Sequence, residues 1–394
     1  MIENVLPKYV RPIAKIDDPV NIVDYWDKGV EAFDEKDYKK SVINIVKYIN
    51  PNLIDDDKAE GDIEIVQMQG SAEIYIKITD TTFCIKAPFL RIGDKTNRVA
   101  LLRRVAEVNF SPLRLEQIHL KDNELHFEYE MPIELAQPNK VYDIIRNVAL
   151  FADKYDDEFV KNYQAEFIHK PNYTELSQEE KDIVWQQISD VFKDYKNYTE
   201  LFKEKRWDDF IWDILVISFL KISNMPYVHG KLRSDLIYMI SLITDGDADF
   251  KYRVDKGVNF MKKLLDKSRD EIMKNVYHAD QLISLRWRSN EQIITDRLQN
   301  SLESVQNDEK KERFFNVSYY LQYLFLRLIY DYNLEDSYKK EIYDVLEAVS
   351  GLEPEEAAPK LITLFYKMHK GEINKKEVEK EEKKDKGFFS KLFS

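Results

Sequence analysis

The sequence predicts an α+β domain followed by an all-α one. Between residues 37 and 163 the apolar spacing switches from three-and-four to alternate and back, in the order α-β-β-β-α-β-β-α. Beyond residue 176 alternation stops, and helical spacing continues to about residue 369. The third observation is a scarcity: ten glycines in 394 residues leave little room for glycine-rich phosphate loops or nucleotide-fold fingerprints.

The first helices are expected over 21–33 and 37–48. Val23, Trp26, Val30 and Phe33, then Val42, Ile45, Val46 and Ile49, recur at three and four. Trp26, Gly29, Phe33, Tyr38, Ser41 and Pro51 are spaced like one tetratricopeptide hairpin, with Gly29 and Ser41 where the helices cross. No second copy follows at that period, so the pair reads as a lead-in and not an array. Alternation over 63–67, 72–78 and 82–87 predicts three antiparallel strands, turning at Gly70-Ser71 and Asp80-Thr81. A helix over 96–108 follows, with Thr96 as its cap and Val99, Leu102, Val105 and Ala106 as its apolar face. Strands over 113–119 and 124–130 turn at Lys121-Asp122-Asn123. In the second, Leu125, Phe127, Tyr129 and Met131 face the core, and Glu124, His126, Glu128 and Glu130 face away. A long helix runs from 139 to about 163.

In the helical half, Ser177 with Glu179 and Glu180 reads as a helix start. Further helices are predicted over 205–223, 229–244, 248–265, 267–275, 279–306, 310–332, 335–349 and 354–369, an all-α bundle. Residues 371–386 form a charged linker. The last eight, 387–394, place Phe388, Phe389, Leu392 and Phe393 on one face of a short helix, the pattern of a peptide that docks in a partner's groove. The expected organisation is an N-terminal extension over 1–20, an α+β domain over 21–170, an all-α domain over 175–370, the linker and the docking peptide.

Residues 60–163 resemble the YbjN-type domain, which shares the fold of type III secretion chaperones. The likeness rests on the element order and on local text. Val105-Ala106-Glu107-Val108-Asn109-Phe110-Ser111-Pro112 stands where that family has a helix end, an Asn and the next strand. Leu120-Lys121-Asp122-Asn123-Glu124-Leu125-His126-Phe127 is similar to its strand-turn-strand, and 135–152 to its closing helix. The resemblance implies an antiparallel five-stranded sheet with flanking helices. It further implies a domain that often dimerises and holds extended or helical segments of other proteins. It carries over no binding residue by position. Independently, the edges of an open sheet can accept a partner's strand.

Composition narrows the function. A net charge of −13 and the absence of a basic run longer than three residues exclude a nucleic-acid surface. No stretch is long and apolar enough to span a bilayer, and no leader is evident, so a cytoplasmic chain without stable membrane insertion is expected. The lone Cys84, in an alternating run, reads as a small core residue. His119 and His126 approach across the hairpin, but His119, His126, His169, His229, His278 and His369 lack helical metal-ligand spacing. Asp245-Gly246-Asp247 departs from a calcium loop, with Phe250 and Lys256 at the positions that need Gly and Glu, and reads as a polar turn. Trp207, Trp212 and Trp287 with Arg286 and Arg288 read as core packing with snorkelling arginines. No metal, cofactor or catalytic constellation is expected. The expected function is a non-enzymatic, chaperone-like adaptor of bacterial type for protein partners, as a homodimer or part of a larger assembly. The alternatives are a structural subunit of a secretion or injection machine, and a helical enzyme whose site is dispersed in sequence.

Overall fold

The computed structural model describes residues 6–12, 23–54, 61–70, 72–169, 173–207 and 209–373. Packing separates two units. One takes in Ile16–Glu175 with Tyr277–Leu285, the other Met1–Lys15, Leu176–Val276 and Arg286–Ser394, each through its described residues.

The α+β unit begins with helices α1 (Val23–Asp34) and α2 (Tyr38–Ile49). The Asp37 carboxylate accepts from the Lys40 amide at 3.3 Å and starts α2. Gly29 and Ser41 meet at the crossing. The Ser41 hydroxyl donates to the Gly29 carbonyl at 2.7 Å, and a Cβ on Gly29 would stand 2.8 Å from Ile45 Cδ1.

Strands β1 (Ile63–Gln69), β2 (Ala72–Ile78), β3 (Thr82–Arg91), β4 (Gln117–Lys121) and β5 (Glu124–Pro132) form an antiparallel sheet ordered β1-β2-β3-β5-β4. Helix α3 (Arg98–Phe110) joins β3 to β4, and α4 (Pro138–Tyr163) follows β5. Asp122 and Asn123 both take positive φ, 50° and 65°, the two-residue hairpin that matches strand twist. A sixth member, β6 (Glu166–Phe167), pairs with Leu90 and Arg91 at the end of β3. Two residues are too few to alternate, so the sequence shows no sign of it.

Alternation sorts each strand. Ile74, Ile76, Ile78, Phe83, Ile85 and Phe127 are buried with Val42, Ile45 and Ile49 of α2 and Val141, Ile145 and Val148 of α4. Each such side chain contributes about 1.5–3 kcal/mol by leaving water. Helix α4 crosses β1, β2, β3 and β5, so the helices cover one sheet face. The expectations for Cys84 and for α3 are corrected. Cys84 is half-buried on the opposite face, because Phe83 and Ile85 beside it hold the core positions. Tyr129 packs against the core as expected, half-buried, with its ring beneath Lys140 Nζ at 5.7 Å. Helix α3 packs through Leu101, Val105 and Val108, leaving Val99 74% exposed, and Asn97 caps it in place of Thr96. The Thr96 hydroxyl donates instead to the Gln164 carbonyl at 2.8 Å.

A segment from the middle of the helical sequence completes this unit. Strand β7 (Tyr173–Thr174) pairs with β8 (His278–Ala279). The Gly70 amide donates to the Asp280 carbonyl at 2.9 Å, and Gln69 bridges Gln281 antiparallel. The Ile283 amide donates to Gln69 Oε1 at 2.9 Å. Leu282 and Ile283 enter the core at 0% and 1% exposure. Gly70 turns at positive φ, where a Cβ would collide with the Asp153 carboxylate. The expected helix over 279–306 is therefore corrected. It begins only at Glu291, where the Asn290 side chain accepts from the Ile293 amide at 2.9 Å.

The helical unit contains α5 (Gln178–Glu204), α6 (Phe210–Ser223), α7 (Gly230–Ile243), α8 (Phe250–Leu265) and α9 (Arg269–Met273). It continues with β9 (Trp287–Arg288), α10 (Glu291–Lys310), α11 (Phe314–Asp331), β10 (Tyr332–Asn333), α12 (Asp336–Ala348) and α13 (Pro354–His369). Ser177 and Glu180 close a reciprocal capping box on α5. Helices α6 and α11 are buried nearly all round and form the centre. Asp245 accepts from the Asp247 amide and Asp249 caps α8, so that stretch is an interhelical turn. Trp207 and Trp212 pack against the core as expected, whereas Trp287 does not. Trp207 packs on Phe315 at 5.0 Å, Trp212 donates to the Ile243 carbonyl at 2.9 Å, and Trp287 is 57% exposed on short β9. No helix among the described residues is long and apolar enough to cross a membrane.

The N-terminal stretch is no loose extension, since its described residues 6–12 pack into the helical unit. There the Lys221 Nζ is buried and donates to the Lys8 carbonyl at 2.6 Å. Burial pulls its pKa from 10.5 down to about 8, against the opposing pull of Asp194. Between about pH 8 and 10.5 the unfolded chain therefore binds more protons here than the folded one. Stability from this group rises with pH across that window, by on the order of 3 kcal/mol. In denaturant titrations at several pH values, wild type should gain on Lys221→Met as pH rises; parallel curves would show that the lysine is solvated.

Candidate binding groove on the open sheet face

The sheet face that bears no helices forms a groove of about 650 Å³. Register builds its floor. From the β1 edge inward, Val66 lies opposite Tyr75, Tyr75 opposite Lys86, and Lys86 opposite Glu128. A second row sets Glu64 beside Lys77, then Cys84 and Glu130. At the far end stand Pro88 and His126, with Ile168 and His169 closing the wall.

Most polar groups here are already paired. Lys77 Nζ lies 2.7 Å from Glu64 Oε1 and 3.9 Å from Asp62. The Tyr75 hydroxyl donates to Glu73 at 2.6 Å, and that bond pushes its pKa up to about 12. His169 Nε2 is 3.5 Å from the same Glu73 carboxylate. Arg91 binds Glu124 at 2.6 Å. Burial pushes the Cys84 thiol pKa up, and Glu130 and Glu128 add to it, so the sulfur is a neutral, weakly nucleophilic wall.

Three features are left over for a ligand. Lys86 forms no ion pair among the described residues, although it faces the middle of the groove. Val66 is 52% exposed beside it. His126 is 7% exposed; its Nε2 lies 3.7 Å from Glu124, and its Nδ1 has no hydrogen-bond partner among the described residues. Burial, then Lys86, hold its pKa below the usual histidine value, so the ring is neutral near pH 7. His126 was expected on the solvent face; it does line the groove there, with Ile168 and His169, but is itself buried. His119 lies directly across from it in the register. No group of three metal-ligating side chains occurs among the described residues.

Both sheet edges carry partial covers. On β4 the Asn109 side chain acts as a short strand. Its Oδ1 accepts from the Ile118 amide at 2.7 Å and its Nδ2 donates to the Ile118 carbonyl at 2.9 Å. On β1 the 277–285 segment covers only the Gln69–Gly70 end. Among the described residues no strand pairs with the outer edge of 63–68.

The sequence-predicted docking residues Phe388, Phe389, Leu392 and Phe393 lie outside the described residues. The groove residues were legible only as polar positions of alternating strands. No protein-family model matches the chain, and comparison with characterised proteins finds no similar sequence.

Proposed function

We propose that this protein is a non-enzymatic adaptor that holds segments of partner proteins on the open face of its α+β unit, in a chaperone-like manner. The observation that carries this reading is the groove of about 650 Å³, in which Lys86 has no ion pair among the described residues and Val66 is exposed. Lys86 takes an acidic side chain of the partner, and Val66 with Pro88 takes an apolar one. The open length of β1 offers main-chain hydrogen bonds to an extended segment. The α-β-β-β-α-β-β-α order supports an arrangement of the secretion-chaperone kind. Phe388, Phe389, Leu392 and Phe393 supply a second, docking contact.

Panning a displayed library of random peptides against the full chain tests the groove. Selected peptides should carry an acidic residue next to an apolar one. They should bind Val66→Glu or Lys86→Glu at least about tenfold more weakly, a change that needs only about 1.4 kcal/mol. Equal binding to wild type and both variants contradicts the reading.

A further inference from the structure

The helical unit holds residues 6–12 as a receptor holds a peptide. The segment is extended and flanked by Pro7 and Pro12. Side chains of α5, α6 and α12, with Ser350 of the turn after α12, read its backbone. The Lys8 amide donates to Asp194 Oδ2 at 2.9 Å, and the Lys8 carbonyl accepts from Lys221 Nζ at 2.6 Å. The Tyr9 amide donates to Ser350 Oγ at 2.8 Å, and the Arg11 amide to Glu347 Oε1 at 3.1 Å. The Arg11 carbonyl accepts from Gln187 Nε2 at 3.0 Å. Among the described residues only Leu6 of this segment pairs with backbone, its amide to the Leu352 carbonyl at 2.8 Å and its carbonyl to the Gly351 amide at 3.2 Å.

Three side chains anchor it. Leu6 is fully buried, and Tyr9 is buried beside Tyr343, with ring centres 6.4 Å apart. The Arg11 guanidinium reaches Glu347 through Nε at 3.0 Å and Asp344 at 2.7 Å, above the Tyr343 ring. A strap that merely fills a core needs apolar burial, not five side chains aimed at its backbone amides and carbonyls. Nor is the fit complete. The Tyr9 hydroxyl is buried without a hydrogen-bond partner among the described residues, and a cavity of about 60 Å³ lies beside Tyr9 against Val191 and Met225.

We propose that the groove between α5, α6 and α12 is a peptide-recognition site, filled in cis by residues 6–12. In trans it takes an extended basic peptide of the same chemistry: an apolar residue, an aromatic three further on and an arginine five further on. Asp194, Asp344 and Glu347 give the groove the opposite charge to such a ligand. This site is separate from the sheet groove, so either stands if the other fails.

The probe is a fluorescent peptide with the sequence of residues 6–12. Tethering gives the chain's own segment a high effective concentration. The peptide should therefore bind wild type at least about tenfold more weakly than it binds full-length Tyr9→Ala/Arg11→Ala. Adding Glu347→Ala to that loosened chain should remove at least about tenfold of the binding, equal to about 1.4 kcal/mol. A loosened chain that melts normally and binds no peptide overturns the proposal. Should the loosened chain fail to fold, hydrogen exchange on wild type decides. The amides of Lys8, Tyr9 and Arg11 should exchange while α5 and α6 stay protected. Exchange of those amides only together with these helices overturns it.

Discussion

Replacing Leu282 and Ile283 with alanine is expected to destabilise the α+β unit by at least about 4 kcal/mol, since each buried Leu or Ile truncation costs roughly 2–5 kcal/mol. The two are neighbours, so the sum is not strictly additive. Even the lower figure is a large part of the stability of a typical domain, about 5–15 kcal/mol. The effect should fall on the sheet although both residues sit in the helical half of the sequence. Both are at most 1% exposed in the core built on α2, α4 and the strands. Their segment is also tied to Gln69 and Gly70 by backbone and side-chain bonds. Hydrogen exchange followed by mass spectrometry should show β1 and β2 amides losing protection while α6 and α11 keep theirs. Unchanged protection in β1 and β2 would mean the segment only lies against the unit. It follows that residues 21–171 on their own, expected from sequence to fold as a domain, should be destabilised by the same missing side chains.

Phe127→Ala is expected to lower stability by roughly 3–5 kcal/mol, while Glu128→Ala should change it by no more than about 0.5 kcal/mol. Phe127 is fully buried in the central strand β5, its ring 4.9 Å from Phe89. The surroundings of an aromatic between a sheet and α4 collapse only in part, so a cavity remains. Glu128 is half-buried on the groove face, across from Lys86, and no ion pair joins the two. Denaturant midpoints with unchanged slopes would give both values. Equal losses at the two positions would mean that β5 is turned over.

The order of helices and strands was legible because each apolar face leaves a local period. Ile74, Ile76 and Ile78 alternate, and Val141, Ile144, Ile145 and Val148 recur at three and four. The same rule identifies Cys84 as an outward position once Phe83 and Ile85 are assigned inward; reading it as core ignored the parity of its own strand. The 277–285 segment was hidden for a different reason. Leu282, Ile283 and Leu285 fit a helical spacing that runs on into Ile293 and Ile294, and their partners lie about two hundred positions earlier. A long-range pairing of two or three residues leaves no period. Residues 6–12 likewise have no periodicity, and their two prolines say only that they are extended. The groove was half legible. Alternation predicts a polar outer face, but not that Lys77 and Tyr75 find partners there while Lys86 does not. That outcome depends on register and on where the 168–169 segment joins the groove.

The central claim is that the helix-free face of the sheet receives a partner segment. A peptide selected by panning on the full chain, mapped by hydrogen exchange, tests it most directly. The account predicts new protection along β1 and slower exchange in β2 and β3 around Tyr75 and Lys86, lost in Val66→Glu. A peptide that binds tightly and leaves β1, β2 and β3 exchanging at their free rates would contradict it.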